Sequence, residues 1–184
     1  MLNNLNIFYK KKILIYGLGK SGLSALKFLK KNNTITTYDD KIKINIKKIT
    51  KIEFNYIIIS PGIDITECKL HKFLKKNTNK IYTDLDIFYS HYKKNNKITI
   101  TGTNGKSTTA KILYKVLKDQ KVDVRLVGNI GNPILLEKKV TNKTVFVIEA
   151  SSYQLEYSKL FKSNISLILN ISPDHLERHK TIKR

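Results

Sequence analysis

The chain has 184 residues, with 35 Lys plus Arg against 14 Asp plus Glu and a formal net charge of +21. That length holds one ordinary domain or two small ones, and the lone Cys68 excludes a disulfide-stapled scaffold and points to a reducing compartment. Nucleic acid is not the expected partner despite the charge, because only Arg125, Arg178 and Arg184 carry the forked guanidinium and the lysines are scattered over every segment. Membrane partners are not expected either. No apolar run approaches the roughly 18–20 residues that cross a bilayer, and MLNNLNIFYKKK lacks a signal-peptide stretch, so a soluble cytoplasmic chain is expected.

In chain order, ILIYG at 13–17 reads as a strand, and Leu23, Leu26, Phe28 and Leu29 give the following segment a helical pattern. A second strand fits 34–38 and ends at Asp39-Asp40. FNYIIIS at 54–60 is a continuous apolar run, the pattern of a strand buried on both faces, and Pro61-Gly62 stops it. A short strand at 80–83 precedes a helical stretch, and the polar YKKNNK at 92–97 reads as an interdomain linker. A new series follows: strand 97–101, helix 106–119, strands 122–127 and 144–149, helix 152–160 and strand 165–171. Strands alternating with helices predict α/β architecture with parallel sheets. The expected layout is a Rossmann-like domain over 1–92 followed by part of a P-loop-type domain over 93–184.

Two glycine motifs stand at predicted strand-to-helix turns. In the first, Gly17-Leu18-Gly19-Lys20-Ser21-Gly22, glycines let the backbone turn tightly and approach a phosphate, and the helix N-terminus offers free N–H groups. Asp39 lies 17 residues after Gly22 at the end of the next strand, near where an acid reaches a ribose or sugar hydroxyl. At this point a nicotinamide dinucleotide and another nucleotide diphosphate are indistinguishable, and a glycine turn that serves packing alone is the plain alternative.

The second motif is Gly102-Thr103-Asn104-Gly105-Lys106-Ser107-Thr108. Its N–H groups suit β- and γ-phosphates, Lys106 adds a point charge, and Ser107 offers a hydroxyl to Mg²⁺. It departs from the common P-loop in that Ile100 stands where the first glycine is expected. Two more strand ends converge on it, because ligands of open parallel sheets collect at the carboxyl ends of the strands. Glu149 follows one strand and suits Mg²⁺ as an oxygen ligand; Asn170 and then Asp174-His175 follow the other, and His175 suits a second metal or the transferring phosphate. His71, His91 and His179 lie in lysine-rich stretches and receive no role.

Four ordered strings, ITGTNGKST at 100–108, GNIGNP at 128–133, EASSYQLE at 149–156 and LNISPDHLERH at 169–179, resemble the Mur ligase family of peptidoglycan synthesis. SSYQLE, together with GLGKSGLS and SPGI at 60–63, is similar to the branch that adds D-glutamate to UDP-N-acetylmuramoyl-L-alanine. The resemblance implies an ATP-driven amide ligase working through an acyl phosphate, with ATP and Mg²⁺ as cofactors. It implies that Lys106, with Gly102, Thr103, Asn104, Gly105, Ser107 and Thr108, holds the phosphates and that Asn129 contacts the nucleotide. Ser107 and Glu149 would hold one Mg²⁺ and His175 a second, while Ser151 and Gln154 would face the substrate. The loop at 17–22 would take uridine diphosphate, with Gly19, Ser21, Asp39 and Asp40 nearby.

The family's carbamylated lysine and third domain have no counterpart before Arg184, so a complementing chain becomes a possible partner. An open apolar sheet edge and poor stability are expected for 93–184, with independent folding of 1–92. Inactive relic and nucleotide-binding module without ligase activity stand as alternatives for the 184 residues themselves.

Overall fold

The computed structural model describes residues 7–42 and 45–180; the outer ends of both predicted domains, 1–6 and 181–184, lie outside the described residues. Two four-stranded, fully parallel sheets follow one another along the chain. The first contains β1 (Lys12–Tyr16), β2 (Thr34–Tyr38), β3 (Tyr56–Ile59) and β4 (Ile81–Tyr82) in the order β2-β1-β3-β4. The second contains β5 (Asn96–Thr101), β6 (Val124–Gly128), β7 (Val145–Glu149) and β8 (Ile165–Ile168) in the order β6-β7-β5-β8. This is the expected α/β class: the apolar runs of β1 and β3 are central and buried, as continuous runs in parallel sheets are.

Among the described residues six α-helices connect these strands, α1 (Lys20–Leu29), α2 (Ile46–Thr50), α3 (His71–Lys76), α4 (Asp84–His91), α5 (Lys106–Asp119) and α6 (Ser152–Glu156), and α7 (Leu176–His179) follows β8. The helix predicted over 152–160 stops at Glu156 because the Asp86 carboxylate captures Ser158 Oγ and the N–H groups of Lys159, Leu160 and Phe161. The strand predicted over 165–171 stops at Ile168, and the chain then turns so that Asn170 can hold the loop before α5.

The polar stretch at 92–97 is not a free linker. Tyr92 packs on Phe88 and Phe146, and the buried Asn95 amide donates to the carbonyls of Thr141 and Thr144. Lys97 is buried, its ammonium held by the carbonyls of Lys93 and Asn95, and burial lowers its pKa to about 8. One apolar core runs across both sheets through α4: Ile13, Ile15 and Ile58 of the first sheet join Leu85, Ile87 and Phe88, which meet Val127, Phe146 and Ile148 of the second. The Phe88 and Phe146 rings meet edge to face, with centroids 4.8 Å apart. Part of the first sheet's core is therefore shared with the second, while another cluster, with Leu14, Tyr16, Tyr38, Ile57 and Ile59, is buried by residues of the first sheet and its helices. Among the described residues β8 is an edge strand of the second sheet, with Ile165 and Ile168 55% and 64% exposed.

Candidate active site

The loop between β5 and α5 is built by glycines whose backbones a side chain would strain. Gly102 has φ +140°, where a Cβ would crowd the Asn170 backbone at 3.1 Å, and Gly105 has φ +83° as the N-cap of α5. Asn170, just past β8, fixes the loop from outside. Its Oδ1 accepts from Asn104 N–H at 2.9 Å, its Nδ2 donates to Asn104 O at 3.0 Å, and its carbonyl accepts from Thr103 N–H. Thr103 Oγ1 exchanges two further bonds with the Ser172 backbone. Inside the loop, Lys106 Nζ donates to the carbonyls of Gly102 and Thr103 at 2.6 and 2.7 Å. Thr108 stands exposed in the first turn of α5.

Behind this loop lies the Glu149 carboxylate at the end of β7, only 1% exposed. Ser107 Oγ donates to its Oε2 at 2.8 Å and Asn129 Nδ2 donates to its Oε1 at 3.0 Å, so both hydrogen-bond partners are uncharged. Asn129 reaches this position because Gly128, at φ +108°, lets the chain pass where a Cβ would meet the Glu149 carbonyl at 2.2 Å. Mg²⁺ takes one or two carboxylates and keeps waters and phosphate oxygens for its other positions. A buried carboxylate beside a hydroxyl, its charge facing only neutral donors, fits that requirement.

His175 is the left-handed N-cap of α7, at φ +53°. Its imidazole is half exposed, 3.5 Å from Asp174 Oδ2 and 3.4 Å from Glu177 Oε1, and packs 4.7 Å from the Tyr153 ring. A cleft of about 480 Å³ lies between the Lys106 loop and His175, lined by Gly102, Thr103, Lys106, Ser151, Asn170 and His175 among others.

The loop between β1 and α1 uses the same grammar with different chemistry. Gly17 has φ +89° and its carbonyl accepts from Ser60 Oγ at 2.7 Å, while a Cβ on Gly22 would fall 1.8 Å from that carbonyl. The Asp39 carboxylate accepts from the N–H groups of Leu18 at 2.7 Å and Lys41 at 3.0 Å, and those backbone bonds lower its pKa. Asp40 accepts from Tyr16 Oη at 2.8 Å, and burial raises the Tyr16 pKa. Ser21 bonds inward to the fully buried Asp84, whose pKa desolvation raises. Gly19 is exposed at the α1 N-terminus, which no side chain caps.

Residues 100–184 match the Mur ligase middle domain. The chain is 36% identical, over 97% of its length, to UDP-N-acetylmuramoylalanine-D-glutamate ligase of Rickettsia bellii, and 35% identical over 94% to that of Caldicellulosiruptor bescii. The chain belongs to the Mur ligase family. It spans 42% of the length of each of these two relatives. In fold it is similar to the crystal structure of UDP-N-acetylmuramate:L-alanyl-gamma-D-glutamyl-meso-diaminopimelate ligase from Neisseria meningitides, with a TM-score of 0.56 at 12% identity over 95% of this chain and 64% of that one.

Of the residues singled out from the sequence, Ser107 and Asn129 meet on the Glu149 carboxylate, while Lys106 holds the Gly102 and Thr103 carbonyls and lines the cleft. His175 reaches the same cleft from the other side. Ser151 also lines it, whereas Gln154 is buried, and their side chains cap α6 reciprocally: Ser151 Oγ accepts from Gln154 N–H and Gln154 Oε1 from Ser151 N–H. His179, given no role from the sequence, lines the cleft; it bonds Ser152 Oγ at 2.9 Å and stacks on Tyr153. Asn170 is the other residue whose work was not legible, because its partners lie 66 positions away.

Proposed function

We propose that this chain is the nucleotide-binding part of an ATP-dependent ligase that adds D-glutamate to UDP-N-acetylmuramoyl-L-alanine in peptidoglycan synthesis. The observation that carries the reading is the buried Glu149 carboxylate meeting the Ser107 hydroxyl and the Asn129 amide behind the Lys106 loop. Mg·ATP, when bound, supplies the phosphoryl group that activates the substrate carboxylate and the cation that screens its charge.

In this reading the N–H groups of Gly105, Lys106 and Ser107 face the phosphate chain, those of Thr103 and Asn104 being held by Asn170, and Lys106 releases its two loop carbonyls to pair with phosphate oxygens. Ser107 and Glu149 hold Mg²⁺, with Glu149 kept in place by Asn129. His175 faces the transferring group from α7. Residues 1–92 hold the uridine diphosphate end at the loop 17–22, and residues 93–184 begin the ATP-binding domain. The reaction needs mainly positioning and charge, and these residues provide both.

A phosphate-release assay tests this on a product containing these residues. Phosphate appears only when ATP, UDP-N-acetylmuramoyl-L-alanine and D-glutamate are all present; release that ignores D-glutamate contradicts the proposal.

A further inference from the structure

The two glycine loops belong to different sheets, yet one buried side chain spans the ground between them. Arg178, on α7, is 9% exposed and sits three residues beyond His175. Its Nη1 donates to Pro61 O at 3.1 Å and its Nη2 to Ile63 O at 2.9 Å. These carbonyls belong to the turn after β3, whose Ser60 holds the Gly17 carbonyl of the first loop. Through Nε at 2.9 Å and Nη2 at 2.8 Å the same guanidinium grips Glu156 Oε2 at the end of α6. It also lies 4.9 Å from the centre of the Tyr153 ring, against which His175 packs.

We propose that Arg178 is a positioning residue that links the two nucleotide loops, so that occupancy of one raises affinity at the other. This rests on the reading of both loops as nucleotide sites. The physical reason is that the planar fork satisfies carbonyls of one half and a carboxylate of the other at the same time. A shift of α7 away from the turn at 60–63 strands a buried charge and two carbonyls, so the two elements move together or not at all. Any ligand that fixes the Gly17 to Gly22 loop therefore also fixes α7, and with it His175 beside the Lys106 loop. Linkage of this kind is reciprocal.

The test is calorimetric titration of the 184-residue chain with Mg·ATP, with UDP, and with each in the presence of saturating amounts of the other. UDP is expected to tighten Mg·ATP about five-fold or more, and Mg·ATP to tighten UDP by the same factor. In Arg178→Lys each nucleotide alone binds within about two-fold of the parent, while the linkage factor falls to about one, because an ammonium cannot span both partners. Glu156→Gln keeps the guanidinium and its carbonyl bonds, so it decides the matter should Arg178→Lys not fold; a reduced factor is expected. Binding at both loops without linkage, or an unchanged factor in a folded variant, overturns the role of Arg178 alone. Failure of either loop to bind its nucleotide overturns the nucleotide assignment and the linkage with it.

Discussion

The loops at 17–22 and 102–108 share a backbone plan and differ in what braces them. Both follow a central buried strand, open a helix and depend on left-handed glycines. Carboxylates brace the first loop, with Asp39 on the Leu18 N–H and Asp84 behind Ser21. The second is braced by a neutral amide, Asn170, and carries an ammonium inside it, Lys106. A cationic loop beside one buried carboxylate suits a triphosphate with its metal. A loop with acids along its rim suits a ligand that presents hydroxyl groups beside a smaller phosphate load. The glycine spacing alone supports a nucleotide in either place, and the neighbouring charges separate them.

Breaking the first loop is expected to have the largest effect. Gly22→Ala puts a Cβ within 1.8 Å of the Gly17 carbonyl, so α1 must leave β1, at a cost of about 3 kcal/mol or more in chemical denaturation. A cost under about 1 kcal/mol contradicts the packing described. Gly105→Ala sharpens the contrast: its Cβ meets only Leu169 Cδ1 at 3.5 Å, an ordinary contact, and the penalty comes from φ +83°. About 1–2 kcal/mol is expected for that change, and equal costs at the two glycines contradict the account.

The smallest effect is the pH dependence carried by Asp39. Its folded pKa lies below the usual 3.8, so its contribution is complete above that value and is lost as pH falls through the folded pKa. Asp39→Asn is expected to flatten the stability curve in that acid window. An unchanged acid limb in urea melts between about pH 2 and 5 contradicts the bond to Leu18.

What was legible in the sequence was local. Continuous apolar runs located β1, β3 and β7, and the helix predicted over 106–119 matches Lys106–Asp119, because its start is a glycine N-cap and its apolar residues recur at helical spacing. The short helices α2 and α3 escaped notice, being five and six residues long and rich in lysine. The burial of the connection at 92–97 was not legible for a physical reason. Asn95 and Lys97 are polar in type yet buried, each satisfied by carbonyls that the fold brings to it. At the site, Lys106, Ser107 and Glu149 were visible because motif and strand end are local features. Asn170, His179 and Arg178 act across 27 to 117 positions of sequence, a distance over which spacing carries no information.

The proposal at the centre is that the Lys106 loop holds a nucleoside triphosphate. Calorimetric titration of Mg·ATP into the chain and into Lys106→Ala tests it most directly. The account predicts that the parent binds and that the variant loses about 1.5–3 kcal/mol of affinity, the worth of a charge-assisted bond, while its melting curve stays within about 0.5 kcal/mol of the parent. Equal affinity in the two proteins contradicts the account.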